Sequence, residues 1–188
     1  MQALLFFLNE LEQEYIHYIE EVAYEPGCCF MKTKINVKLL VVCIAIPLLV
    51  GAISALLTRG SMETFETLVK PPLAPPGWLF PVVWTILFVL MGLASYLVVT
   101  SSAPKEEQGR AISVYLYQLV VNFLWSTFFF QFGWYLFSFI WLVFLWVLIL
   151  ITLVRFYRIS KPAGLLLIPY LLWVSFAGYL NFAIWLLN

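Results

Sequence analysis

The sequence predicts an all-α integral membrane protein, a bundle of five transmembrane helices. Hydrophobic residues make up 64% of the 188 positions and charged residues only 11%, which is too apolar a balance for a soluble domain. Five apolar stretches are each long enough to cross a hydrocarbon core of about 30 Å at a helical rise of about 1.5 Å per residue. Stretches of this length without alternating polarity satisfy their backbone hydrogen bonds as helices rather than as barrel strands.

The predicted spans follow one another along the chain with short connections. They are Val37–Thr58, Phe80–Thr100, Ala111–Gln131, Trp134–Val154 and Ala163–Leu187. Proline inside a helix removes a backbone hydrogen bond, so Pro47 and Pro169 predict bends in the first and fifth spans. The stretch 131–133 leaves so little chain between the third and fourth spans that we expect an antiparallel helical hairpin closed by a tight turn.

The basic residues predict the orientation of the bundle in the membrane. Eight of the ten Lys and Arg residues flank the spans on the side that carries the N-terminus, and only Arg59 and Lys70 flank them on the other side. Cytoplasmic flanks hold the excess of positive charge in membrane proteins. We therefore expect a cytoplasmic N-terminus and an external C-terminus. The net charge is zero, which gives no indication of a nucleic-acid partner.

Residues 1–30 form an acidic extension that differs from the rest of the chain. They contain six Glu and no basic residue, whereas a signal peptide needs a positive first segment. Apolar residues at helical spacing, from Leu4 to Val22, permit an amphipathic helix near the headgroups, and a poorly ordered appendage is the alternative. Because Met31-Lys32-Thr33-Lys34 is typical of a membrane protein start, our hypothesis is that the working protein begins at Met31 and that 31–188 is the membrane domain.

The spans contain no Asp, Glu, Lys, Arg or His between their edges, and this argues against several functions. Proton relays, ion-coupled pumps and voltage sensors depend on ionisable groups within the membrane. Hydrolysis needs an acid/base pair, and an enclosed metal site needs imidazole or carboxylate ligands. The cysteines, adjacent Cys28 and Cys29 and the distant Cys43, fit neither a disulfide framework nor metal-ligand spacing. We predict no catalytic residue, metal or cofactor.

Aromatic and amide side chains recur at helical spacing on three of the spans. The groups are Trp84, Phe88 and Met91 on the second span, Gln118, Asn122 and Trp125 on the third, and Pro169, Trp173, Ala177 and Asn181 on the fifth. A carboxamide facing lipid is costly, so the amides are expected to point into the bundle. One interpretation is that the amides join helices and the rings fill the core. The other, which the joint pattern favours, is a pocket for a planar, mostly apolar molecule.

Two further features come from the first span and the connection that follows it. Gly51 and Ala55 form a pair of small residues four apart, which is typical of close helix packing or of a dimer face. The connection 70–78 contains four prolines, each of which fixes one φ angle, so it is extended and could be either a lid or a rigid connector.

Three motifs resemble those of the tryptophan-rich sensory protein and translocator protein family (TspO/MBR), also called the peripheral benzodiazepine receptor family. They are KPPLAPPGW at 70–78 followed by Val83-Trp84-Thr85, NFLWS at 122–126, and PYLLWVSFAGYLN at 169–181. The resemblance covers nearly everything after Met31, in the family's order and spacing. The extension before Met31 has no counterpart in the family.

The resemblance implies a five-helix bundle, usually a homodimer, with a pocket open toward the first connection that accepts protoporphyrin IX or a related tetrapyrrole and benzodiazepine-site drugs. By position, Trp84 and Trp173 match the family's two pocket tryptophans, Asn122 its polar residue on the third helix, Ala177 its small residue facing the ligand, and Pro75 its lid. Phe65 stands where some bacterial members have tyrosine. The residue pattern adds three more candidate ligand-binding residues, which are Phe88, Trp125 and Asn181.

The leading interpretation is a non-enzymatic membrane protein that binds porphyrin and takes part in tetrapyrrole sensing, transport or metabolism. One alternative is an enzyme that degrades protoporphyrin IX in light, a photo-oxidation that needs no acid/base pair. Another is a dimeric scaffold or regulator. A bacterial cell membrane is the expected location, or the mitochondrial outer membrane if the source is eukaryotic.

Overall fold

A computed structural model of the chain describes residue 13 and residues 35–61 and 67–188. The proposed Met31 start, Phe65 and the acidic extension, apart from Gln13, lie outside the described residues. The helices within the described ranges are α1 (Val37–Thr58), α2 (Leu79–Val99), α3 (Lys105–Ser126), α4 (Tyr135–Ile159), α5 (Lys161–Leu165) and α6 (Ile168–Leu187). Five segments are long and apolar enough to cross a membrane, with α5 and α6 together forming the fifth, and the predicted fold class is confirmed.

Helices α1 and α2 run antiparallel and approach each other closely. The Asn36 side chain caps α1 by accepting a hydrogen bond from the backbone N–H of Leu39, and the Asn36 backbone N–H donates to the Tyr96 hydroxyl near the end of α2 (3.1 Å). Further along, a Cβ atom added to Gly92 would lie only 2.6 Å from the Cα atom of Ile44. Only a glycine on α2 therefore permits this crossing distance.

Helices α3 and α4 form the predicted antiparallel hairpin. The α3 helix continues as a π-helical turn over Thr127–Gln131, and Gly133 then adopts a left-handed φ of 64° that reverses the chain. The Trp141 indole donates to the backbone oxygen of Val121 (2.8 Å) near the turn, and the Arg155 guanidinium donates to a backbone oxygen at the far end of α3 (2.9 Å). These two contacts join the helices at both ends.

The fifth span is interrupted rather than continuous. The chain leaves helical conformation at 166–167 between α5 and α6, and Pro169 lies in the first turn of α6, where its missing N–H costs no hydrogen bond. We expected a bend at Pro169, and the structure instead has a break in the helix just before this residue. Pro47 lies inside an unbroken α1. The predicted fifth span is confirmed as one membrane-crossing segment, and it consists of two helices.

Charged residues are segregated to the two ends of the bundle, as predicted. Lys38, Lys105 and Lys161 lie where α1, α3 and α5 begin, and the Arg155 contact with the start of α3 shows that α4 ends at the same level. At the opposite end, Arg59 follows α1, and the backbone of the first connection bonds to the C-terminal residue Asn188. Which end faces the cytoplasm stays a prediction.

Candidate ligand-binding cavity

A cavity of about 710 Å³ lies between α1, α2 and α3, within the size range of small-molecule pockets. Three helices, the π-helical turn and the end of the first connection line it. The lining comprises Leu48, Val50, Gly51, Ala52, Ser54, Ala55, Thr58, Arg59, Gly77, Trp78, Phe80, Pro81, Trp84, Thr85, Phe88, Asn122, Phe123, Trp125, Ser126 and Phe130. Four predicted site residues are among them: Trp84, Phe88, Asn122 and Trp125.

Aromatic rings from α2 and α3 form one continuous wall of the cavity. The Trp84 ring lies 5.5 Å from Phe88, one turn along α2, and 6.4 Å from Trp125 on α3. Trp125 in turn stacks on Phe129 of the π-helical turn, with ring centroids 5.6 Å apart. Rings held by other rings have little rotational freedom, so the wall presents fixed flat surfaces to a ligand.

Small residues of α1 form a second wall, which meets the aromatic wall at Phe88. A Cβ atom added to Gly51 would lie 2.2 Å from Cε2 of Phe88, so the Phe88 ring rests directly on the Gly51 backbone. Ala55 lines the cavity one turn further on. Gly51 therefore packs against α2 within this chain, whereas Ala55 is exposed, and its role in a dimer face stays a prediction. The hydroxyl of Thr58 donates to the backbone oxygen of Ser54 (2.9 Å) and offers no free donor.

Asn122 is the polar feature of the interior. Its side chain is 3% exposed, it lines the cavity, and its Oδ1 atom has no hydrogen-bond partner among the described residues. A buried carbonyl oxygen without a partner costs about 1–3 kcal/mol relative to a bonded one. The Oδ1 atom is itself covered by protein atoms, so a ligand N–H can reach it only after neighbouring side chains move.

The other two amides join helices instead. The Gln118 Oε1 atom accepts from the Tyr170 hydroxyl of α6 at 2.8 Å. Asn181 donates from Nδ2 to the backbone oxygen of Tyr135 (2.9 Å), and its Oδ1 atom accepts from the indole N–H of Trp125 (3.3 Å). Asn181 therefore holds the cavity-lining Trp125 in place without lining the cavity itself. Of the two interpretations of the amides, helix joining describes Gln118 and Asn181.

The structure places Trp173, Ala177 and Pro75 outside the cavity lining. Trp173 packs edge-on against Phe80 with centroids 6.0 Å apart, so Phe80 stands between it and the cavity, and its Nε1 donor has no partner among the described residues. Ala177 is buried in the core on α6, and Pro75 is half-buried in the first connection. Gly77 and Trp78 are the residues of that connection that reach the cavity. The ligand-binding roles of all these residues stay predictions.

The sequence reasoning missed the α1 wall and Arg59. Ser54, Thr58 and Arg59 continue the face that carries Gly51 and Ala55, and they bring it to the mouth of the cavity. The small-residue pair followed by hydroxyl side chains on the same face was the signal that could have identified this wall.

A second recess, of about 360 Å³, lies between α4 and α6 and differs in character. It is lined by apolar and aromatic side chains together with Ser175 and Gly178. Its indole donor, that of Trp146, is already bonded to the Ser175 hydroxyl at 2.8 Å. This recess offers mainly apolar and aromatic surface, with the Tyr179 side chain also in its lining.

The fold is that of a helical membrane protein with five spans, and aromatic side chains line the cavity among its first three helices. Residues 43–186 match the family model described as TspO/MBR family. The chain belongs to the TspO/MBR family.

Curated relatives agree over most of the chain. It is 45% identical over 150 residues to the tryptophan-rich protein TspO of Chlorobaculum tepidum, covering 79% of this chain and 95% of that protein. It is 37% identical over 154 residues to the tryptophan-rich protein TspO of Archaeoglobus fulgidus, covering 81% and 99%. The translocator protein of Bos taurus is 34% identical over 145 residues, covering 74% of this chain and 84% of that protein.

Proposed function

We propose that this membrane protein binds a porphyrin or related tetrapyrrole in the cavity between α1, α2 and α3 and acts in tetrapyrrole sensing, transport or metabolism. The observation that carries the proposal is the wall of aromatic rings, Trp84, Phe88 and Trp125, along one side of the cavity. Flat rings give stacking affinity to a planar apolar body. The relatives from Cereibacter sphaeroides and Bos taurus are named tryptophan-rich sensory protein and translocator protein, which is compatible with sensing or moving a ligand.

A titration of the purified protein with protoporphyrin IX, followed by quenching of tryptophan fluorescence, tests the proposal. We expect saturable quenching, a dissociation constant raised about tenfold by Trp84→Leu, which removes a stacking ring, and a smaller increase from Asn122→Leu. Trp185→Phe is the matched control, because Trp185 lies near the end of α6, outside the cavity lining. Unchanged dissociation constants in both cavity variants would overturn the proposal.

Light-dependent degradation of the porphyrin is the second candidate. The observation that favours it is that Trp84 contacts two other oxidisable rings, Trp125 at 6.4 Å and Tyr170 at 6.1 Å. The enzyme would convert illuminated protoporphyrin IX with turnover and consume dioxygen in proportion. If the protein only binds protoporphyrin IX, the illuminated porphyrin should bleach at the rate of free porphyrin in the same detergent. Comparing the two bleaching rates therefore distinguishes degradation from binding.

The orientation and the homodimer are part of the same proposal. We propose a cytoplasmic N-terminus, tested by single cysteines at Lys105 and Asn188 in a cysteine-free background. In intact cells, a membrane-impermeant maleimide should label position 188 and leave position 105 unlabelled, and the reverse pattern would refute this orientation. A dimer contact would involve the exposed apolar side chains of the helices, such as Ile53 and Leu56 of α1.

A further inference from the structure

We propose that Arg59 makes the cavity selective for ligands that carry a carboxylate, with the acidic edge of the ligand at the cavity mouth. This inference rests on the proposed function, because it assigns the orientation and the chemical class of the molecule that the cavity holds. The aromatic pattern in the sequence did not indicate Arg59 as a ligand-binding residue.

Asn122 and Arg59 are two polar residues of the cavity lining, and they differ in burial. Asn122 is buried within it, whereas Arg59 is exposed and follows directly on the last residue of α1. Trp78, which also lines the cavity, is 66% exposed. The end of the cavity that carries Trp78 and Arg59 is therefore its mouth. Between Gly51, which touches Phe88, and Arg59, α1 advances about 12 Å.

Arg59 is the one charged side chain among the described lining residues. A guanidinium presents paired N–H donors that match the two oxygens of a carboxylate, and the planar geometry favours a bidentate contact. The C-terminal end of α1 carries about half a negative elementary charge from its backbone dipoles, which would repel an anion. The full positive charge of Arg59 outweighs it and makes the mouth attractive to an acid.

The apolar interior excludes the opposite orientation. Trp84, Phe88 and Trp125 surround the deep part of the cavity, and no cation lines it among the described residues. Burying a carboxylate there without a partner would cost far more than leaving it at the water boundary. A planar acid must therefore enter ring first and leave its carboxylate beside Arg59.

The test compares protoporphyrin IX, which has two carboxyl groups, with its dimethyl ester, which has the same ring and none. The wild-type protein is expected to bind the acid more tightly than the ester. Arg59→Gln is expected to weaken binding of the acid about three- to tenfold and to leave the ester unchanged, since the contact is charge-assisted and partly screened by water. Arg59→Lys should restore part of the preference, and high salt should reduce it.

Lys70→Gln is the matched control, because Lys70 lies at the same end of the bundle but outside the lining. It should leave both dissociation constants unchanged. Retained binding of the ester by Arg59→Gln shows that the variant is folded. Equal wild-type affinity for acid and ester, or an equal loss of both in Arg59→Gln, would overturn the inference and leave the proposed function standing. Failure of the wild-type protein to bind either compound would instead overturn the proposed function.

Discussion

Phe88 should be driven into the cavity when Gly51 gains a single methyl group. A Cβ atom at position 51 would lie 2.2 Å from Cε2 and 2.7 Å from Cδ2 of that ring. An ordinary carbon–carbon contact is about 3.5–4.0 Å, so in Gly51→Ala the ring must retreat by more than about 1 Å. The obstacle is a side chain beside an open space rather than a backbone. The ring can therefore move without separating α1 from α2.

The displacement of the Phe88 ring determines how much stability and ligand affinity Gly51→Ala loses. A ring that leaves its preferred position costs about 1–3 kcal/mol of packing strain, and Gly→Ala within a helix returns about 1 kcal/mol of backbone propensity. We expect a net loss of stability of about 0–2 kcal/mol. The displaced ring occupies space beside Trp84 that the ligand needs, so the affinity for protoporphyrin IX should fall about tenfold, equivalent to about 1.4 kcal/mol.

Fluorescence titration measures the affinity, and thermal unfolding followed by circular dichroism measures the stability. Gly109→Ala is the matched control, because a Cβ atom there meets nothing within 4 Å. It adds the same methyl group to α3 at a position outside the cavity lining. Wild-type affinity in Gly51→Ala would refute the assignment of this wall to the ligand site, provided that the variant is folded.

Three other substitutions test the contacts that hold the bundle together, each by thermal unfolding in the same detergent. Tyr170→Phe removes the hydroxyl that donates to Gln118 at 2.8 Å and should cost about 1 kcal/mol; no change in melting temperature would show that this bond contributes nothing. Asn181→Leu removes an amide bonded to two other elements and should cost about 1–3 kcal/mol, and an equally stable variant would contradict the assigned bonds. Gly92→Ala places a methyl group 2.6 Å from a backbone atom of α1 and should destabilise the protein, whereas the control substitution Gly109→Ala should stabilise it by about 0.5–1 kcal/mol; the opposite order would refute the close crossing.

The number of spans and the hairpin could be predicted from the sequence because both depend on local properties. Apolar length sets the spans, and the short stretch before Trp134 permits only a tight turn. The helix ends were less predictable. The first residues of α3, from Lys105, are polar and helical outside the apolar run, and the break before Pro169 depends on how α5 packs beside Tyr157 of α4.

The candidate site was predictable only in part. Helical spacing identifies which residues of one helix share a face, and it correctly grouped Trp84 with Phe88 and Asn122 with Trp125. It does not show which face of a neighbouring helix lies opposite. The stripe on the fifth span therefore appeared to belong to the same pocket, although Phe80 separates Trp173 from the cavity. The α1 wall was missed because small residues shape a cavity by the volume that they leave empty. No single side chain in the sequence indicates that volume.

The burial of the three amides could be predicted from the sequence, but their partners could not. Sequence alone could establish that a carboxamide within a span avoids lipid, and all three amides are indeed buried. Whether each meets another helix or an open space depends on tertiary contacts. Gln118 and Asn181 meet partners on other elements, and Asn122 has an oxygen left over.

Photolabelling with a photoreactive derivative of protoporphyrin IX, followed by peptide mass spectrometry, tests the central claim most directly. We expect the label on the cavity-lining faces of α1, α2 and α3, around Gly51, Trp84 and Asn122, and we expect unmodified protoporphyrin IX to compete it away. Competed labelling confined to the recess between α4 and α6, around Trp146 and Gly178, would contradict the account.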